Sequence, residues 1–194
     1  FREEEFGCVD TLSARACYDE GKRFAETVCA TYAQVQKVDV RIARLFRVYG
    51  PRAPLYEAHM IPDFILHALD QKDLEIFGDE TFHTSLLYVS DAVEGLLKIM
   101  KTATGLGPIN IGSDVDARLV DVAQKIIDMT SSTSKLVFKD TLLFMTPLGL
   151  PDLTKAKESL GWLPLVTLED GLRRTIEYTV SHRSLLGLQG FGAS

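Results

Sequence analysis

Tyr18-Asp19-Glu20-Gly21-Lys22-Arg23-Phe24 opens the stretch that decides the fold: it reads as a helix to about Val35, followed by a strand. Phe24, Val28, Thr31, Tyr32 and Val35 recur at helical spacing, after which Val38, Val40 and Ile42 alternate as strand residues do. Working outward, Ile61, Phe64, Ile65, Ala68 and Leu69 define a second helix, Leu74 to Phe77 a strand, and Ser85 to Val89 a strand entering a helix with Val93, Leu96, Leu97 and Met100. Ile109 to Ile111 reads as a strand closed by Gly112, and Leu119, Val122, Ala123, Ile126 and Ile127 mark another amphipathic helix before a strand at Lys135 to Phe138. Asp152 to Leu160 is a short helix stopped by Gly161, and Thr167-Leu168-Glu169-Asp170 resembles a capping box that starts a last helix burying Leu168, Leu172 and Ile176. The tail after Ser184 is glycine-rich and expected to fray. Alternating helices and strands predict an α/β fold.

Composition narrows the function classes. The 194 residues are 46% apolar, enough for a substantial core, and carry a net charge of −6 with dispersed Lys and Arg, which argues against a nucleic-acid partner and against a polybasic membrane surface. No apolar run approaches the length needed to span a bilayer, and Phe1-Arg2-Glu3-Glu4-Glu5 lacks the character of a signal peptide, so a cytoplasmic protein is expected. Cys8, Cys17 and Cys29 are odd in number and lack metal-ligand spacing, which predicts reduced thiols and no metal.

Tyr18 and Lys22 stand four residues apart, so on a helix they share a face. An ammonium beside a phenol favours the phenolate, whose ordinary pKa is about 10, and a phenol so tuned exchanges a proton with a sugar or alcohol hydroxyl. The same spacing also serves as an ordinary surface pair; context decides between the two. The pair sits in Arg15-Ala16-Cys17-Tyr18-Asp19-Glu20-Gly21-Lys22-Arg23, and is followed by Arg47-Val48-Tyr49-Gly50-Pro51-Arg52, Tyr88-Val89-Ser90-Asp91, Pro108-Ile109-Asn110-Ile111-Gly112 and Pro151-Asp152 through Gly161-Trp162.

That ordered set, from about Glu5 to Tyr178, resembles the extended short-chain dehydrogenase/reductase family of nucleotide-sugar epimerases, dehydratases and decarboxylases, and its Tyr18 segment is most similar to the UDP-glucuronate decarboxylase branch. The resemblance implies the C-terminal part of a Rossmann-type, doubly wound sheet plus a small α/β substrate-binding domain. Residues 1–50 would end the NAD-binding domain, 51–183 would be mostly substrate-binding with segments returning to the sheet, and 184–194 would be tail. It implies NAD as cofactor, a nucleotide-sugar substrate oxidised at C4, and a homodimer formed through the Tyr18 helix. Tyr18 matches the proton-transferring tyrosine, and Lys22 the lysine that holds the nicotinamide ribose and tunes it. Tyr32 matches a tyrosine near the nucleotide sugar, or else is a core aromatic; Val48 matches an NAD-touching position, or is core; His59 stands where an NAD-contacting arginine is usual, or is a surface histidine. Asp91 is expected to cap its helix.

Three departures separate the chain from the pattern. Arg47 replaces an asparagine that contacts the substrate diphosphate, Thr84 replaces an arginine, and Leu148-Gly149-Leu150 replaces a basic stretch associated with decarboxylation and with gripping the acidic sugar or its phosphates. Epimerisation or 4,6-dehydration of a nucleotide-linked hexose is therefore the alternative chemistry. No glycine-rich turn follows a strand and opens a helix to bind pyrophosphate, so the chain is expected to represent the part of such an enzyme after its NAD phosphate site, with a non-catalytic fragment as a further alternative.

Overall fold

The computed structural model describes residues 1–53, 55, 59–103, 105–141 and 149–189, with side chains to residue 184. Among the described residues, helices and strands follow one another in the order α1 (Ala16–Val35), β1 (Ile42–Leu45), β2 (Val48–Tyr49), α2 (Met60–Leu69), β3 (Leu74–Phe77), β4 (His83–Thr84), β5 (Leu87–Tyr88), α3 (Val89–Lys101), β6 (Pro108–Ile111), β7 (Ala117–Arg118), α4 (Leu119–Met129), β8 (Leu136–Lys139), α5 (Thr154–Leu160) and α6 (Leu168–Gln189). The α/β class read from the sequence holds. Three of the four strand pairs are parallel, β1 with β6, β2 with β5 and β3 with β8, while β4 and β7 run antiparallel.

One path through the sheet creates the site. The chain runs along β6 in β1, leaves it at Phe46, whose amide still donates to Ile111 O at 3.0 Å, and then takes β5 as its partner in β2. Arg47 lies at this change of partner, beyond the carboxyl end of β1, the place where open parallel sheets present ligand-binding residues. Gly112 lets the two paths approach: a Cβ there would stand 2.9 Å from Phe46 Cβ and 2.7 Å from Pro151 Cγ.

The core has two main parts. One gathers α2, α4 and α6 over β3 through Phe64, Ile65, Leu74, Ile76, Ile126 and Leu172. The other closes β6, α3 and α5 around Trp162 with Ile109, Ile111 and Ala156, so segments well beyond residue 50 return to β1. Gly95 admits Trp162, whose ring stands 3.2 Å from where a Cβ would be. The indole Nε1 donates to Asp91 O at 3.1 Å.

Several local expectations need correction. Val38 to Arg41 are not strand; β1 starts at Ile42. Asp91 does not cap α3: its buried carboxylate accepts from the amides of Leu165 (3.0 Å) and Val166 (2.9 Å), because those two donors, unlike the helix amides, reach it from the turn that leads into α6. Leu168 is half-buried, whereas Leu172 and Ile176 are buried as read. Helix α6 continues through 184 to Gln189, across Gly187, where the sequence led to an expectation of fraying; residues 190–194 lie outside the described residues, as does Leu148. Gly161 ends α5 in the left-handed conformation at φ 56°, and Thr167 Oγ1 accepts from Asp170 N at 3.2 Å, as the capping signals predict. No helix among the described residues is long and apolar enough to cross a membrane.

Candidate active site

Helix α1 begins where Ala16 N bonds Ser13 O at 3.1 Å, and Asp19 in its first turn suits the positive end of the helix dipole. It is fastened to the sheet by charge. Arg44 on β1 donates to both carboxylate oxygens of Glu26, at 2.7 and 2.8 Å, and this bidentate bond is the main cause of the raised Arg44 pKa. The stripe of Phe24, Val28, Tyr32 and Val35 points away and is exposed. The helical periodicity holds, but the residue that ties the helix to the sheet is Glu26, outside the apolar stripe.

On α1 the expected pair forms. Lys22 Nζ lies 5.3 Å from the centroid of the Tyr18 ring, and Tyr18 is 55% exposed, so its phenol is open to a ligand. A second cation, which sequence reasoning missed, joins them: the Arg15 guanidinium lies 4.6 Å from the same ring and is held by Asp19 Oδ1 at 2.9 Å. Its signal was there to be read, since Arg15 precedes Tyr18 by one helical turn.

Arg47 is half-buried. Its Nε is fully enclosed without a hydrogen-bond partner, and its guanidinium lies 6.0 Å from the Phe82 ring. Burial first, and the nearby charge of Arg15 second, push its pKa down. Val48, next along, is 41% exposed while Tyr49 faces the core, so the valine is available to a ligand rather than spent on packing.

The remaining candidates are not gathered so closely. Tyr32 is exposed on α1 fourteen residues from Tyr18, about 21 Å along the helix axis. The expectation of a core aromatic is wrong there, and any shared ligand must be extended. His59 is exposed at the start of α2, where its carbonyl accepts from Asp63 N at 2.9 Å. Thr84 is buried and its Oγ1 has no partner, so no cation stands there. A groove of about 790 Å³ opens between Ala30, Ala33, Val38, Ile42 and Leu106, at the end of α1 remote from Tyr18.

For NAD, these residues fit the nicotinamide-ribose end: Lys22 is an exposed donor beside Tyr18, and Val48 is an open apolar contact. The sequence supplies no glycine-rich turn for the pyrophosphate.

The family of NAD dependent epimerases/dehydratases matches residues 2–112. UDP-glucuronic acid decarboxylase 1 of Xenopus tropicalis is 38% identical over 176 residues, which are 91% of this chain and 42% of that protein. Among solved structures, UDP-glucose 4-epimerase of Thermotoga maritima with UDP-glucose matches 86% of this chain and 54% of its own at a TM-score of 0.81 and 29% identity. UDP-glucuronic acid 4-epimerase of Bacillus cereus with UDP-glucuronic acid and NAD matches 92% and 57% at 0.79 and 25% identity. The chain thus spans about two fifths of the length of the curated relative.

Proposed function

The chain belongs to the NAD dependent epimerase/dehydratase family, and on that premise we propose that it is the substrate-proximal part of an NAD-dependent nucleotide-sugar enzyme of the UDP-glucuronate decarboxylase kind. The observation that carries the reading is the Tyr18–Lys22 pair, assembled on one exposed helix face with Lys22 Nζ 5.3 Å from the Tyr18 ring centroid.

In this reading the phenol oxygen of Tyr18 takes the proton from the sugar C4 hydroxyl, while Lys22 stabilises the phenolate and hydrogen-bonds the nicotinamide ribose. NAD, when bound, supplies the acceptor for the hydride that leaves the same carbon. Val48 and His59 are assigned to NAD contacts; Tyr32 and Arg47 are assigned to the nucleotide sugar. The exposure of Val48 and the unpartnered Nε of Arg47 support two of these assignments.

Residues 1–50 are assigned to the end of the NAD-binding domain and most of 51–183 to substrate binding, with α3, β6 and α5 packed back on β1. A homodimer through α1 is part of the proposal, supported by the exposed apolar stripe of Phe24, Val28 and Val35, as is a cytoplasmic location, in keeping with three free cysteines.

A second reading, 4-epimerisation without loss of carbon dioxide, is favoured by the neutral Thr84. The experiment incubates the protein with UDP-glucuronate and NAD. Carbon dioxide and a UDP-pentose support decarboxylation, a UDP-hexuronate epimer without carbon dioxide supports the second reading, and consumption of neither kind contradicts both.

A further inference from the structure

Helix α1 carries the Tyr18–Lys22 pair, yet of its residues only Ala16 is buried. Helices in folded proteins are mostly held by an apolar face packed on a core. With so little of α1 buried, polar contacts must place it, and the Glu26–Arg44 pair is one of them. The segment before the helix supplies the others, and they converge on Glu3, a carboxylate only 9% exposed that the proton transfer does not use. Among the described residues β6 pairs with β1 alone, and the Asn110 amide of β6 donates instead to Glu3 Oε1 at 2.8 Å. Burying a carboxylate is tolerated where hydrogen bonds hold it, and this bond to a strand amide fixes where Glu3 sits against β6. The Glu3 carbonyl in turn accepts from Arg44 Nη1 at 3.2 Å, on the same guanidinium whose Nε and Nη2 hold Glu26. On one side of Glu3, Phe1 O accepts from Asn110 Nδ2 at 3.0 Å and from Asp152 N at 2.8 Å. On the other, Phe6 O accepts from Arg23 Nη1, beside Lys22 on α1.

We propose that Glu3 is a positioning residue for the Tyr18 helix: its carboxylate anchors residues 1–6 to β6, and that segment, through Arg44 and Arg23, sets where α1 lies on the sheet. The inference rests on the reading that Tyr18 transfers the proton, and adds what holds it in place. Asn110 is the other half of the anchor, since its amide and its side chain both bind the segment. Arg44 is the junction, because one guanidinium joins the segment to the helix. Glu3 acts through the helix and takes no part in the chemistry itself.

Two variants of the 194-residue chain separate the anchor from general stability: Glu3→Gln keeps an acceptor for the Asn110 amide, and Glu3→Leu removes it. Hydrogen exchange is expected to run about tenfold faster along α1 in Glu3→Leu while α4 is unchanged, and to return to within about twofold of the parent in Glu3→Gln. In turnover of UDP-glucuronate with NAD at equal folded fraction, Glu3→Leu should lower kcat by about tenfold with KM within about twofold, and Glu3→Gln should restore it. Parent-like exchange along α1 in Glu3→Leu, equally faster exchange in α1 and α4, a turnover loss carried by KM alone, or a glutamine variant no better than the leucine one overturns the proposal. A parent chain that leaves UDP-glucuronate unconsumed counts against the reading of Tyr18, and the exchange result then decides on Glu3 by itself.

Discussion

Single side chains differ in how openly the sequence declares them. Tyr18 and Lys22 were legible because helical spacing alone puts them on one face, and the folded helix keeps them 5.3 Å apart, ring centroid to Nζ. Asp91 was misread: its place in the first turn of α3 suggested a cap, yet its carboxylate holds Leu165 and Val166, more than seventy residues away. Such a bond depends on how two distant segments pack, and no local pattern encodes it. Replacing Asp91 by Ala leaves two amides without their acceptor at a buried site and is expected to lower the unfolding free energy by about 2–4 kcal/mol in urea titrations. A loss below about 0.5 kcal/mol would mean that water replaces the carboxylate without penalty. Arg47 was legible as a departure from the family pattern; that its Nε is enclosed without a partner follows from the turn between β1 and β2, which two-residue strands are too short to announce.

Elements with long periodic runs were read well, and of the two-residue strands only β5 was, within the strand expected at Ser85 to Val89. Helices α2 and α4 and strand β3 start and stop within a residue or two of the sequence signals, whereas β2, β4 and β7 offer no period to detect. Helix α1 is the instructive case. Its apolar stripe is exposed, and the helix is joined to β1 through the Glu26–Arg44 bidentate pair, whose side chains are each about 30% exposed. Periodicity identifies a stripe without saying what covers it. Glu26→Gln should therefore loosen α1 selectively, raising hydrogen exchange of its amides while those of α4 stay protected, with a global loss of about 0.5–1.5 kcal/mol. Unchanged protection along α1 would show that contacts other than this pair hold the helix. In the proposed homodimer the stripe is covered, so Phe24→Asp should shift the protein toward monomer in sedimentation, and an unaltered distribution would remove α1 from the interface.

At the scale of the whole molecule, two carboxylates on α2 give opposite pH signatures. Asp70, at the end of α2, is held below its ordinary pKa by Arg183 of α6. Its contribution is therefore present above the ordinary carboxylate range and is lost as pH falls through the folded value. Asp63, half-buried in the same helix, is raised by burial against the weaker opposing pull of His67 and His59. Folding favours its neutral form, so its charging costs stability as pH rises past the ordinary value. In thermal melts from about pH 3 to pH 7, Asp70→Asn should flatten the acid limb by no more than about 1 kcal/mol, given its partial exposure, and Asp63→Asn should raise the melting temperature toward neutral pH. Opposite signs would refute both assignments. The Asp70–Arg183 link matters because it joins the end of α2 to α6, in the layer that packs on Tyr49, directly after Arg47 and Val48. The central claim concerns Tyr18, and turnover of UDP-glucuronate with NAD, compared between the parent protein and Tyr18→Phe at equal folded fraction, tests it most directly. The account predicts a loss of about 10²–10⁴-fold with the fold intact; an unchanged rate would contradict it.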